Sequence, residues 1–520
     1  MNLNITKIQV NDYAIVFQKG VIMNYKRSAG ILLHITSLPS KYGVGTLGEE
    51  AYNFVDWLKK AGMKIWQVLP LVPTNYGDSP YQSASSTALN YYLIDFDILR
   101  KKRLLKLSDY NNIQFNYIDY RVDYSLLFQN KVAVLKKAFS NFNVNNKNFQ
   151  SFVQKGDFKD FAVFMTIKAM HYYQSWTSWN AEYQTYSKEL EERIINEHSS
   201  EYLFWQWTQY EFLDEWNKLH AYAKENDIEI MGDMPLYVAY DSVEVWKNPE
   251  LFLLTESKGL KLVAGCPPDA FTEDGQLWGN PIYDWNYMRE TNYEWWNQRI
   301  AKAFGLYDIL RIDHFRGFDR YYAIPADHEN ARNGHWEDGP KFDLFKDKLG
   351  YKIVAEDLGL IDDGVRKLMA DTQYPGMKVL EFAFDGNPYN EHKPSNCAEN
   401  FVIYTGTHDN MPLYQYICDL NPDQYNTFIW DMRNECRKLN VCSNDGTPKD
   451  MVDTVVELAF ASRANLCIIP MQDLLALGKF SRMNLPSTVS TDNWSYRISK
   501  DDLSEELLAR LIAYTKKYNR

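Results

Sequence analysis

Ionisable residues gather at the ends of short apolar runs in this 520-residue chain. The densest case is "ILRIDHFRGF" (309–318), where an apolar stretch gives way to Arg311, Asp313, His314 and Arg316. Asp233 closes "IEIMGDM", Glu356 and Asp357 close "YKIVAED", Glu381 lies within "MKVLEFAFD", and His408 and Asp409 follow "FVIYTGT". Two carboxyl groups facing each other across a glycosidic bond can break it: one attacks or supports the sugar carbon, and the other protonates the departing oxygen. Arg311 stands two residues before Asp313, so on a strand both project from one face, where a cation favours the charged form of a neighbouring carboxylate. That suits a nucleophile.

Each group alone also has a structural explanation. An Asp at a strand end commonly caps the next helix or pairs with an Arg. Glu356 before "DLG" and Glu381 fit helix starts, Glu381 also fits a locally paired strand group, and His34 in "LLHIT" fits a hydrogen-bonded structural histidine. His314 beside Asp313 and His408 beside Asp409 invite comparison with a barrel metallohydrolase. Neighbours on a strand point to opposite faces, however, and the first strand offers a lone His34 and no His-x-His pair. No metal and no cofactor is expected, and the case for chemistry rests on convergence.

Convergence requires a scaffold that brings run ends together. Eight runs qualify: 29–39, 63–73, 228–238, 307–315, 351–359, 377–385, 401–410 and 465–475, each followed by a helix-like stretch. Helices are predicted at 48–62, 293–305 and 362–372. Strands alternating with helices imply a parallel sheet, and eight of them imply a (β/α)8 TIM barrel, an α/β fold with its site at the C-terminal strand ends. A doubly wound open sheet is the alternative, but no glycine-rich phosphate loop follows the first strand.

The predicted organisation is an N-terminal extension (1–25) and one catalytic barrel (26–520) without a separate C-terminal β-domain. It carries a largely helical insertion at about 74–227 and an irregular active-site loop region at 239–292. Within the extension "YAIVF" reads as a short strand, and Met23 is an alternative start.

Composition narrows the function. A net charge of −12, with "RKKR" (100–103) the one basic run, argues against nucleic acid. Nothing approaches the roughly 20 apolar residues of a membrane span. Six cysteines without a CxxC favour reduced thiols and a cytoplasmic location. Aromatic residues reach 15 %, including 37 Tyr and 15 Trp, flat rings that suit either a large core or a hydroxyl-rich ligand.

The motifs "RIDHFRG", "AEDLG" and "GTHDN", with "GDSPYQS", "GDMPLYV", "GQLWGNPIYDW" and "RMNLP", resemble those of the 4-alpha-glucanotransferases known as amylomaltases or disproportionating enzymes, a branch of the alpha-amylase superfamily. The resemblance runs from about "RSAGILLHITSLPS" to "NWSYRI". It implies Asp313 as nucleophile, Glu356 as general acid/base and Asp409 as the third, transition-state-stabilising carboxylate. It also implies Arg311 as the residue orienting the nucleophile; Asp233, His314, His408, Tyr81, Gln276, Trp278, Asn484 and Ser79 as donor-sugar contacts; and Tyr76 as a distal contact for long glucans. The implied substrates are alpha-1,4-glucans: maltodextrin, starch or glycogen chains. Three departures stand out: "MPLY" (Met411 to Tyr414) where small polar residues are usual, Ala270 where tyrosine is common, and Ser487 where glycine is usual. An alpha-glucan hydrolase and a catalytically idle glucan-binding protein are the competing expectations.

Overall fold

The computed structural model describes residues 25–75, 77–268 and 273–520, together with the backbone of an antiparallel pair, Ile5–Val10 and Tyr13–Gln18. The "YAIVF" strand falls in that pair, whereas Met23, Tyr76 and Ala270 lie outside the described residues.

All eight predicted runs form strands of one parallel sheet. They are β1 (Ser28–Leu32), β2 (Ile65–Gln67), β3 (Glu229–Met234), β4 (Ile309–Ile312), β5 (Ile353–Ala355), β6 (Gly376–Val379), β7 (Phe401–Tyr404) and β8 (Leu466–Pro470). The ladder runs β5-β4-β3-β2-β1-β8-β7-β6, so a single seam, between β5 and β6, separates the sheet from full closure. Ile31, Ile65, Trp66, Ile309, Leu310, Ile312, Val354 and Val402 are fully buried, as expected when both faces of a parallel sheet are covered. Close packing is strict at Gly232, where a Cβ would sit 2.2 Å from the Tyr307 ring.

The seam is bridged by two bonds. The Ala355 N–H donates to the Pro375 carbonyl at 2.9 Å, and Asp357 Oδ1 accepts the N–H of buried Met377 at 2.6 Å. Asp357 therefore substitutes for a missing ladder bond. Replacing it by alanine strands that buried N–H and is expected to cost about 1–3 kcal/mol, read as a lower urea midpoint with an unchanged slope.

Outside the strands lie α1 (Glu49–Lys60), α2 (Ser199–Glu225), α3 (Glu294–Phe304), α4 (Asp363–Thr372), α5 (Leu413–Asp419), α6 (Pro422–Leu439), α7 (Pro448–Ala461) and α8 (Glu505–Tyr518). In α1, buried Ala51, Phe54, Val55 and Leu58 make one apolar stripe, while Glu49 and Glu50 begin the helix and Lys59 and Lys60 end it, complementing its dipole. The 27-residue α2 packs against β3 and α1 as well as the preceding helices Lys147–Lys155, Lys159–Met170 and Lys188–Glu197, so it ties them to the barrel. "RKKR" closes a helix, Phe96–Lys101, and Lys102 pairs with Glu211 and Asp214 of α2 at 2.5 and 2.6 Å. No helix among the described residues is long and apolar enough to cross a membrane.

Two expectations need correction. Region 239–292 is not wholly irregular: Leu262–Cys266 and Gln276–Pro281 pair antiparallel, and Arg320–Pro325 and His335–Asp338 extend them into a four-stranded sheet. Gly265, Pro267, Pro268 and Gly275 read locally as loop punctuation, and half of the pairing partners come from the β4–β5 crossover. Gly265 is required by proximity, since a Cβ there would lie 2.1 Å from the Gln276 carbonyl oxygen. Helices also do not follow every strand: among the described residues, the helical segments in the β4–β5 and β6–β7 crossovers are short 3-10 turns alone.

Candidate active site

Arg311 belongs to β4, and Asp313 is the first residue beyond it. The guanidinium holds two carboxylates: Nη2 donates to Asp313 Oδ1 at 2.8 Å, and Nη1 donates to both oxygens of Asp233, on neighbouring β3, at 2.7 Å. The Tyr81 hydroxyl also donates to Asp233 Oδ2 at 2.8 Å. Burial opposes the Arg311 charge, but Asp233 and then Asp313 push its pKa well above its ordinary value. The two aspartates are unequal. The Asp233 side chain is 0 % exposed and fully engaged, whereas that of Asp313 is 27 % exposed and opens onto the barrel mouth.

β4 ends sharply because His314 takes a left-handed conformation, φ 51°. Its N–H donates to Glu356 Oε2 at 2.8 Å, and the Leu358 N–H donates to Glu356 Oε1 at 2.7 Å. Glu356 stands just past β5, the strand laddered to β4. Burial, then the negative charge of Asp313, push its carboxyl well above the usual range against the pull of Arg311 and the backbone bond. The pair is thus differentiated: Asp313 is held open by a cation, and Glu356 is held toward its protonated form.

His314 contributes an open polar atom. Burial lowers its pKa to about 4, leaving the ring neutral, and its Nε2 is buried with no hydrogen-bond partner among the described residues. Trp278 meets the ring edge-on at 4.8 Å, and its Nε1–H donates to Gln276 Oε1 at 3.0 Å. Both come from the Gln276–Pro281 strand, so the four-stranded sheet carries them over the mouth.

Asp409 follows β7, where Asn484 Nδ2 donates to its Oδ1 at 2.7 Å and His408 Nε2 lies 3.4 Å from the same oxygen. Arg482 Nη2 donates to the Asp409 carbonyl at 2.6 Å, and the Asn484 N–H donates to the His408 carbonyl at 3.0 Å, fastening the loop after β8 onto the loop after β7. Tyr81 stacks on His408 at 4.9 Å with an interplanar angle of 14°, and Ser79 Oγ accepts the Tyr81 N–H at 3.1 Å.

Asp233, Arg311, Asp313, His314, Glu356, His408, Asp409, Asn484, Tyr81 and Ser79 therefore form one hydrogen-bonded and stacked constellation, with Gln276 and Trp278 joined to it through His314. Sequence reasoning did not single out Trp494, whose ring lies 5.5 Å from Tyr81 and 5.9 Å from His408, although "NWSYRI" contains it. It also passed over Asn410 and Arg482, which lie within "GTHDN" and "RMNLP". His34 accepts the Leu69 N–H at Nδ1 (3.2 Å) and is driven to about 3 by burial, then His408, making it a neutral buried acceptor. Ser487 has φ 61°, a conformation that glycine adopts without steric cost. In "MPLY", Pro412 caps α5 and the Leu413 N–H donates to Asp473 Oδ1 at 2.7 Å. No group of three or more His, Cys, Asp or Glu among the described residues could hold a metal ion.

Carboxyl groups of unlike environment on adjacent barrel strands, beneath a rim of aromatic rings, equip enzymes that cleave or exchange glycosidic bonds. Comparison with known proteins narrows that class. The chain belongs to the 4-alpha-glucanotransferase family, whose model matches residues 33–503. A 4-alpha-glucanotransferase of Clostridium butyricum is 42 % identical over 497 residues, covering 94 % of this chain and all of the relative. One of Thermus thermophilus is 39 % identical over 511 residues, covering 94 % and 98 %. Among solved structures, an amylomaltase of Streptococcus agalactiae in complex with acarbose matches with TM-score 0.90 at 40 % identity, over 95 % of this chain and all of the other. The activity class is accordingly glycosyl transfer of the amylomaltase kind.

Proposed function

We propose that the protein transfers segments of alpha-1,4-glucan from a donor to an acceptor maltodextrin by retaining double displacement. The observation that carries this assignment is the differentiated pair: Asp313 bonded to the Arg311 cation, and Glu356 buried beside it with a raised pKa. Asp313 attacks the anomeric carbon while Glu356 donates its proton to the leaving glycosidic oxygen. The bond from anomeric carbon to oxygen breaks, a glucosyl ester forms on Asp313, and Glu356 is left ionised. Glu356 then removes the proton from the 4-hydroxyl of a second glucan. That oxygen attacks the anomeric carbon, and the bond from that carbon to the Asp313 oxygen breaks, which restores the Asp313 carboxylate and preserves the alpha linkage.

The remaining roles are those that the resemblance to the family implies. Asp409 stabilises positive charge on the ring carbon and accepts sugar hydroxyls. His314 Nε2, buried and unsatisfied, bonds a donor hydroxyl. Tyr81 offers a ring face to the donor glucose, and Asp233, His408, Gln276, Trp278, Asn484 and Ser79 complete the donor site. Tyr76 serves as a distal contact for long chains. A cytoplasmic place of action fits the scattered cysteines.

Incubation with maltotriose tests the proposal. Glucose together with a ladder of longer maltodextrins is the expected product pattern. Glucose and maltose alone would replace transfer with hydrolysis, and unchanged maltotriose would leave a binding protein.

A further inference from the structure

One aromatic residue packed against the donor-side rings has a backbone conformation that its own side chain disfavours. Trp494 has φ 62°, in the left-handed region where a Cβ crowds the backbone, and it is buried, 5 % exposed. Its ring lies 5.5 Å from that of Tyr81 and 5.9 Å from that of His408, and those two stack on each other at 4.9 Å. We propose that Trp494 is a positioning residue for the Tyr81–His408 stack: its ring completes a three-ring cluster that fixes the aromatic face presented to the donor sugar.

A strained residue persists only where its surroundings over-determine it, and here they do. The Trp494 N–H donates to the Met483 carbonyl at 2.6 Å, and the Trp494 carbonyl accepts the Tyr124 hydroxyl at 3.1 Å. Just before it, Asn493 Nδ2 donates to the Thr488 carbonyl and Asn493 Oδ1 accepts the Leu485 N–H, both at 3.1 Å. Just after it, the Ser495 hydroxyl donates to the Asp492 carbonyl and the Ser495 carbonyl accepts the Val122 N–H, both at 2.7 Å. Met483 stands between Arg482 and Asn484, the two residues bonded to Asp409. The loop after β8 is therefore folded back on itself, so that one stretch holds Asp409 and the other delivers the Trp494 ring to Tyr81. Val122 and Tyr124, from the segment between β2 and β3, brace the same turn from outside.

The hydrogen bonds of Tyr81 leave this task open. Its hydroxyl is bonded to Asp233 and its N–H to Ser79, which fixes the tip and the base of the side chain. Both anchors lie near the long axis of the ring, and rotation about that axis has only a broad torsional preference of its own. The ring plane is set by the rings packed against it, His408 at an interplanar angle of 14° and Trp494 at 36°. A sugar that stacks on Tyr81 meets that plane, so a ring free to rotate offers it a poorer face.

This inference rests on the proposed role of Tyr81 at the donor site, so Tyr81→Ala serves as the reference variant. Transfer from maltotriose and the urea midpoint are measured for the wild type, Trp494→Phe, Trp494→Ala, Trp494→Gly, Tyr81→Ala and the double variant carrying Tyr81→Ala and Trp494→Gly. Trp494→Ala and Trp494→Gly both delete the ring and are expected to lose roughly 10- to 100-fold in kcat/KM, whereas Trp494→Phe keeps a ring and stays within about fivefold of wild type. Stability should follow the backbone instead: at φ 62° glycine is unstrained, so Trp494→Gly has a higher urea midpoint than Trp494→Ala. With Tyr81 already removed, Trp494→Gly should cost less than about threefold further. A merely structural Trp494 predicts the reverse, with activity rising from the alanine to the glycine variant in step with the midpoint and the full loss repeated on Tyr81→Ala. Either result, or a Trp494→Gly kcat/KM within about threefold of wild type, overturns the inference and leaves the role of Tyr81 standing. Full activity in Tyr81→Ala would overturn the donor-site role of Tyr81, and the inference with it.

Discussion

Asp313→Asn is expected to lower transfer from maltotriose roughly 10⁴- to 10⁶-fold, the range seen when the attacking group of a covalent mechanism is removed. An amide cannot form the glucosyl ester, and no other carboxylate occupies its place. Asp233 is spent on Arg311 and Tyr81, and Asp409 stands after β7 rather than on the strand beside Glu356. The fold should survive. Arg311 Nη2 still finds an amide oxygen where Oδ1 was, and a side chain 27 % exposed loses little in exchanging charge for dipole. Unchanged far-ultraviolet circular dichroism and a urea midpoint close to wild type would accompany the loss of rate. Residual activity above about 1 % of wild type, once contamination is excluded, would move the nucleophile elsewhere.

The barrel was legible because its strands are buried on both faces and therefore write themselves as uninterrupted apolar runs; "ILRI", "FVIY" and "LCIIP" need no partner to be recognised. The Leu262–Cys266 strand was not, because its pairing depends on glycines at close approaches and on a strand some sixty residues later. The same contrast runs through the site. Arg311 and Asp313 share a face by alternation along one strand, so their contact follows from spacing. That Arg311 also takes Asp233 follows only from β3 lying beside β4. The resemblance to the family supplied roles but not environments: nothing in "AEDLG" says that Glu356 is buried, or that its oxygens face the N–H groups of His314 and Leu358. Glu381 was ambiguous for the same reason. Its N–H donates to the Thr405 carbonyl just past β7, and local sequence offers only a helix start or a locally paired strand group.

Glu356→Gln separates the acid from the nucleophile. Its rate on maltotriose is expected to fall by about 10²- to 10⁴-fold, less than for Asp313→Asn, because proton transfer assists a bond cleavage that Asp313 can still attempt. The sign of the pH effect is fixed by the direction of the shift. A carboxyl whose pKa is raised by burial and by Asp313 keeps its proton through neutral pH and loses it as pH rises through the raised value, so the wild-type alkaline limb reports loss of the acid. Glutamine has no such proton to lose, and the part of that limb due to Glu356 should vanish. Leaving-group dependence gives a second reading of the same role. Alpha-glucosyl fluoride departs without protonation, so the variant should form the glucosyl ester at a rate much nearer to wild type. Without a base to activate the 4-hydroxyl, that ester then accumulates. Azide needs no deprotonation and should release it as alpha-glucosyl azide, the product of two inversions. Equal impairment on maltotriose and on the fluoride, with no azide product, would remove Glu356 from proton transfer and leave it the task its two backbone bonds already describe, that of holding the His314 turn in place.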